Sequence, residues 1–458
     1  MKKLFLLMLI CTLILSAGCR PETTGDNITE NPDAAAQPVG VQPDKTENGE
    51  QDTDPKNQES PTPATETSLS DKTKELSADY AAQEIGYTMS EEFPAAAADF
   101  GLRLLKNTAK KEQNALVSPI SAMFALGMTA NGAKGNTYVE MEQTLLGKNS
   151  NVLLNASLAA YRQKVTTHDQ LHLANSIWIR NQELDIKQDF LQSNANYYDS
   201  RIFSSSFDEN TVRDVNLWVK ENTNEMIPTL LTQAPTDETV MYLINALAFD
   251  GRWASPFAES NTAEGTFTAA NGDKQTVQMM KHIDENYLEN EFATGFHKSY
   301  EGGDSFVALL PKAGTTPEQL LASLDGKGWQ QLLIPKENSV VHLTLPKFET
   351  EFSASLKKPL QAMGIRDAFN FETADFSAIG TANGEPLYIS DVLQKTVFEL
   401  DEEGTRAAAA TVVEAGTAES APDETPKEYT VTLDRPFVYA IVDNNNVPLF
   451  LGIMNSVK

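Results

Sequence analysis

The sequence predicts an α+β fold, carried by one domain of about 370 residues in a chain of 458. Two patterns predict it. Apolar residues recur at helical spacing over residues 92–110. From residue 165 on, strand-like runs and helix-like runs are mixed, with no internal repeat. Apolar residues make up 41% of the chain, enough for a substantial core.

The chain opens with a basic pair, Lys2 and Lys3, followed by a nearly apolar stretch over residues 4–15. That stretch is too short to span a bilayer and reads as a signal peptide. It ends in Leu15-Ser16-Ala17-Gly18-Cys19, small residues before one cysteine. This is similar to the cleavage box of bacterial lipoproteins, whose cysteine sulfur takes a diacylglyceryl group. Ser16 departs from that pattern, which usually has an aliphatic residue there; Leu15 lies one place earlier. The expectation is a lipoprotein signal over residues 1–18, with Cys19 as the lipid attachment. The protein is then anchored on the extracellular face of a bacterial cell, or released from it. An ordinary secretory signal with a chance cysteine is the alternative. Cys11 is the only other cysteine and lies in the removed part, so no disulfide is expected in the mature protein.

Residues 19–80 are rich in Pro, Thr, Asp, Glu, Gln and Asn. Such a composition buries too little apolar surface to offset ordering entropy, so a disordered acidic tether is expected. About 60 residues of flexible chain reach roughly 45 Å. The folded domain is assigned to residues 91–458.

Within it, Phe93, Phe100, Leu102, Leu104 and Leu105 define a helix to about residue 110. Ser118-Pro119 marks a turn before a second, apolar helix, with Ser121 as its expected N-cap. Residues 171–179 alternate like a strand, and residues 240–249 and 340–345 are rich in β-formers. Residues 317–324 and 355–363 have helical spacing. Residues 437–454 read as a hairpin with its turn at residues 443–446.

A formal charge of -28 argues against a nucleic-acid partner, which needs a basic surface. The enzyme classes with short signatures also find no support. The five histidines, His168, His172, His282, His297 and His342, lie in no HExxH or comparable ligand spacing. There is no G-x-S-x-G elbow. The stretch from Gly127 to Lys134 fails as a phosphate loop, because Ala133 separates Gly132 from the lysine and Gly135 replaces the Ser/Thr. No enzymatic activity, metal or cofactor is expected.

One connection stands apart. Strand-like residues 396–400 and 429–433 flank a segment of roughly thirty residues, far above the usual loop length, so function or disorder is expected there. Alternate residues from Thr405, namely Ala407, Ala409, Thr411, Val413, Ala415 and Thr417, carry no charge; Arg406 and Glu414 fall in the other set. In a strand these sets face opposite ways, so the segment is able to enter a sheet with its charges in water. Glu419 is the first charge on the uncharged parity, and burial-driven insertion stops before it. A helical or disordered alanine linker is the blander reading of the same run.

Glu402-Glu403-Gly404-Thr405-Arg406-Ala407-Ala408-Ala409-Ala410-Thr411 resembles the reactive-loop hinge of inhibitory serpins. Matches in the same order run over about residues 91–458: Asn114, Ser118-Pro119 and Ser121; Asn175; Asn216 with Trp218; Asn245 with Trp253; Leu345-Pro346-Lys347-Phe348; Arg435-Pro436-Phe437. The resemblance implies a serpin fold of three β-sheets and about eight to nine helices with an exposed reactive-centre loop. It implies a monomeric suicide inhibitor of a serine protease, whose cut loop inserts into the central sheet of a metastable molecule. It also implies that Ser118, Ser121 and Asn216 form a shutter beneath the opening sheet, with Gln394 where the family often has histidine. Trp253, with a Lys347–Glu402 pair, marks the breach where insertion starts. A non-inhibitory, serpin-fold surface binding protein is the rival reading.

The family's scissile bond lies about fifteen residues past the hinge glycine, at Ala418–Glu419 here. A small residue on the acyl side suits an elastase-like protease. Thr417–Ala418 and Glu419–Ser420 remain open, the last suiting a glutamyl-specific protease. The membrane is expected as a partner only through the lipid on Cys19.

Overall fold

The computed structural model describes residues 68–83, 86–147, 153–165, 170–405 and 425–458. The signal segment, Cys19, the hinge residues Arg406, Ala407, Ala408, Ala409, Ala410 and Thr411, and the bond Ala418–Glu419 lie outside the described residues.

The first helical pattern forms α1 (Phe93–Thr108), which buries Phe93, Phe100, Leu104 and Leu105. The second forms α2 (Pro119–Ala130), buried along its whole length, as a helix apolar on every side must be. Its N-cap is Ser118, not Ser121. Pro119 presets the helical φ at the first position and needs no N–H partner, so the helix starts earlier than the expected cap. A third helix, α3 (Glu209–Asn222), is capped by the Asp208 carboxylate. Nine α-helices occur among the described residues.

The largest sheet is assembled from distant parts of the chain. Its strands are β1 (Lys74–Glu75), β2 (Leu171–Arg180), β3 (Arg201–Ser205), β4 (Met241–Phe249), β5 (Gly251–Arg252), β6 (Phe348–Ser355), β7 (Asp391–Leu400) and β8 (Gly404–Thr405). Their order is β1-β3-β2-β4-β7-β8-β5, and β6 pairs with β7. A six-stranded sheet contains Phe437–Val442 and Pro448–Met454, the expected hairpin, paired antiparallel. A four-stranded sheet holds Ser339–Pro346 between Lys427–Thr432 and Lys274–Asp284. A small three-stranded sheet completes the set.

The tether boundary needs correction. Residues 68–80 read as disordered by composition, yet they lie on the domain. β1 pairs antiparallel with β3, matching Lys74 to Ser204 and Glu75 to Phe203. The Asp214 carboxylate on α3 is buried and accepts from the Ser70 N–H at 3.0 Å and the Ser70 hydroxyl at 2.5 Å. The Ser77 hydroxyl accepts the Ile202 N–H at 3.0 Å. Leu69, Leu76 and Tyr80 pack against the core beside these polar bonds, too few apolar residues for a hydropathy count to find.

Within the large sheet, β4 and β7 run parallel and bond directly from Asp391 opposite Tyr242 to Val397 opposite Ala248. Above that point β8 sits between β7 and β5, the short strand that follows β4, and is antiparallel to both.

Candidate functional site

The site has two parts, one at the top of the β4–β7 seam and one halfway down it. At the top, β7 ends at Leu400 and the chain reverses through residues 401–403. Asp401 makes the corner: its carboxylate accepts from the N–H of Glu403 at 2.9 Å and of Gly404 at 3.1 Å, the usual service of Asp in a turn. Gly404 is required by close approach, since a Cβ there would lie 2.1 Å from the Gly251 carbonyl oxygen.

This corner hangs from the segment after β5. The Trp253 N–H donates to Glu403 O and the Phe257 N–H to Glu402 O, both at 2.9 Å. The Trp253 indole N–H donates to Asp401 O at 3.0 Å. Trp253 is buried and stacks on Tyr300 with centroids 4.3 Å apart. Lys347 and Thr262 both donate to the Glu402 carboxylate, at 2.5 Å and 2.8 Å. Partial burial pushes that carboxyl up, but these hydrogen bonds outweigh it and hold it below the usual range. Thr405, the first of the uncharged set, is fully buried, and its hydroxyl meets the Tyr300 hydroxyl at 2.6 Å.

Halfway down the seam, three amides form a row across three strands. Asn175 on β2 stands opposite Asn245 on β4, and Asn245 opposite Gln394 on β7. The Asn245 amide donates to Asn175 Oδ1 at 3.0 Å, and the Gln394 amide donates to Asn245 Oδ1 at 2.7 Å. Gln394 also brackets the start of α2: it accepts the Ser118 N–H at 2.9 Å and donates to the Ser118 carbonyl at 3.0 Å. The Ser121 hydroxyl donates to Asn175 Oδ1 at 3.3 Å. This network fastens the sheet to the central helix. Ser118, Ser121, Asn245 and Gln394 are buried, where an unmade hydrogen bond is costly, and Asn175 is half-buried.

The structure thus brings Ser118, Ser121 and Gln394 together, and separately Trp253, Lys347 and Glu402. Asn216 belongs to neither group. It lies on α3, where its carbonyl accepts from the N–H of Leu230 and Leu231 and its amide donates to Leu231 O. It shapes the loop after α3, and Asn245 and Asn175 complete the network in its place. Both stood out in the sequence as residues within strand patterns, but the register that aligns them with Gln394 is not a local signal. Tyr300 carried no signal at all.

A family model described as "Serpin (serine protease inhibitor)" matches residues 95–457. The leukocyte elastase inhibitor of Bos taurus is 32% identical over 366 residues, covering 75% of this chain and 93% of that protein. A serpin-like protein of Methanosarcina acetivorans is 28% identical over 385 residues, covering 80% and 87%. Among solved structures, the thermophilic serpin tengpin in its native state superimposes with a TM-score of 0.77 at 38% identity, over 84% of this chain and all of the other. Thyroxine-binding globulin in complex with thyroxine gives a TM-score of 0.68 at 26% identity, over 80% of this chain and all of the other.

Proposed function

The chain belongs to the serpin family, and on that premise we propose that it inhibits a serine protease as a suicide substrate, by inserting its cut reactive loop between β4 and β7. The family consists mostly of protease inhibitors rather than catalysts. One observation carries the finer reading. β8 occupies the top of the seam and runs antiparallel to β7, so a strand extended in the direction of Gly404–Thr405 would enter between β7 and β4.

The register supports it. Kept in step with Thr405 opposite Leu400, an inserting strand sets Ala407 against Phe398, Ala409 against Thr396, Thr411 against Gln394 and Val413 against Val392. All five β7 partners are buried. Arg406 falls opposite the exposed Glu399, a favourable cross-strand pair. Insertion separates Gln394 from Asn245, and the Thr411 hydroxyl arrives between them as both donor and acceptor. The protease serine attacks the Ala418 carbonyl, Glu419 leaves as the new amino terminus, and the acyl-enzyme is carried along by strand entry. New pairing and burial supply the driving free energy.

Ala418 on the acyl side favours an elastase-like target. The relation to a leukocyte elastase inhibitor supports that choice. The same reading places the mature protein outside a bacterial cell as a monomer, held through lipid on Cys19 by a tether ending before the strap.

Incubation of residues 68–458 with an elastase-like serine protease tests the proposal. A covalent complex stable to SDS is expected. Cleavage with turnover and no complex would reject inhibition.

A further inference from the structure

Lys298 is a buried cation at the breach that the insertion reading leaves without a role. It lies on the strand Ala293–Ser299, is 1% exposed, and meets no carboxylate within ion-pair distance among the described residues. Its Nζ donates to Ser255 O at 2.6 Å. The same Nζ stands 4.6 Å from the Phe257 ring centroid and 5.4 Å from that of Trp253. One carbonyl and two aromatic faces therefore replace its water. An apolar side chain would fill this space without burying a charge, so packing alone does not account for a lysine.

The residues it grips are the ones that carry the reactive loop. Trp253 and Phe257 donate the three hydrogen bonds that suspend residues 401–403. We propose that Lys298 is a positioning residue for the reactive loop: its ammonium clamps residues 253–257 so that the hinge stays docked at the mouth of the seam, and loss of that charge releases the hinge. The clamp stands on geometry; its consequence for the loop rests on the insertion reading above.

Several ionisable groups face this pocket. His282 and Asp284 come from Lys274–Asp284, Tyr300 follows two residues on, and Glu402, paired with Lys347, accepts the Phe257 N–H through its backbone carbonyl. Burial brings the Lys298 ammonium down to about 8, against a smaller upward pull from Asp284. Burial and the nearby Lys298 charge hold His282 at about 4. Burial raises Tyr300 well above its ordinary value. Glu402 is held low by its hydrogen bonds. His282, Tyr300 and Glu402 thus stay outside the range between pH 7 and 9, and Lys298 supplies the charge change there.

Hydrogen exchange read by mass spectrometry tests this on the full folded chain, without any protease. Peptides covering residues 253–257 and 401–405 are followed at pH 7 and pH 9, with rates corrected for chemical exchange. In the wild type, protection is expected to fall about tenfold at the higher pH, the scale of a desolvated cation–π contact. Lys298→Met should exchange at pH 7 as the wild type does at pH 9 and show no pH response, whereas Lys298→Arg should stay protected at both. Wild-type protection and pH response in Lys298→Met would overturn the clamp. If that variant does not fold, equal pH responses in the wild type and Lys298→Arg would overturn it instead. A pH response confined to the wild type, in a chain that forms no protease complex, supports the clamp while rejecting inhibition.

Discussion

Tyr300 and Thr405 share a hydrogen bond of 2.6 Å inside the protein, with neither hydroxyl open to solvent. Tyr300 belongs to the body of the fold, stacked on Trp253, and Thr405 is the last described residue before the loop. On the insertion reading, Thr405 is therefore docked at the entrance of the seam before any cut is made. Replacing Thr405 with Arg forces a charge into this site at a cost of several kcal/mol. The variant should be cleaved by the target protease and released, turning the inhibitor into a substrate. The ratio of complex to cleaved product on an SDS gel measures this, and undiminished complex would contradict insertion.

The amide row predicts a different defect. Gln394→Ala leaves the Asn245 carbonyl and the Ser118 N–H without a partner, while the Ser118 carbonyl keeps the Ala122 N–H, and this should cost about 1–3 kcal/mol. Denaturant unfolding of the uncleaved protein reads the loss. Because the same contacts fasten the β4–β7 seam, the variant should also convert more quickly on mild heating to a loop-inserted form, detected by lost inhibitory capacity. An unfolding midpoint equal to the wild type would show that the row contributes nothing.

Acid should loosen the strap. Burial pushes the Asp214 carboxyl up, but hydrogen bonds from Ser70, Thr73 and Arg213 outweigh it and hold it below its ordinary value of 3.8. The folded value lies below the unfolded one. Its stabilisation is therefore present above the ordinary value and is lost as pH falls through the folded value. Limited digestion by an acid-active protease should cut near residues 68–77 below about pH 4 and not at pH 6. Asp214→Asn should be cut at both pH values. A strap equally resistant at both pH values in the wild type would refute the coupling.

Cleavage of the loop should raise the melting temperature. Several kcal/mol of added pairing corresponds to roughly 5 °C in a domain of this size. Calorimetry of intact and nicked protein makes the comparison, and coincident curves would mean that no free energy is held in reserve.

Much of this was legible in the sequence where the signal is local. The strands around residues 171–180, 241–249 and 437–454 follow from apolar and β-forming runs, and α1 from helical spacing. The parity of the hinge was also readable, since alternation belongs to the chain itself. What escaped is non-local. Asn245 meets Gln394 only because two strands far apart in sequence align in register. Asn216 looked equally polar but serves a neighbouring loop. The strap escaped because its hold depends on distant partners: a buried carboxylate on α3, pairing with β3, and core surface that receives Leu69, Leu76 and Tyr80.

The strap has one more consequence. The large sheet ends at β1, only two residues long and built from Lys74 and Glu75, both charged. Bare sheet margins recruit strands from other molecules, and short charged ones discourage it. The outermost backbone of β3 is already matched by β1 at Phe203 and Ser204. If a ribbon enters through its centre as proposed, the protein is still guarded against self-association at this rim.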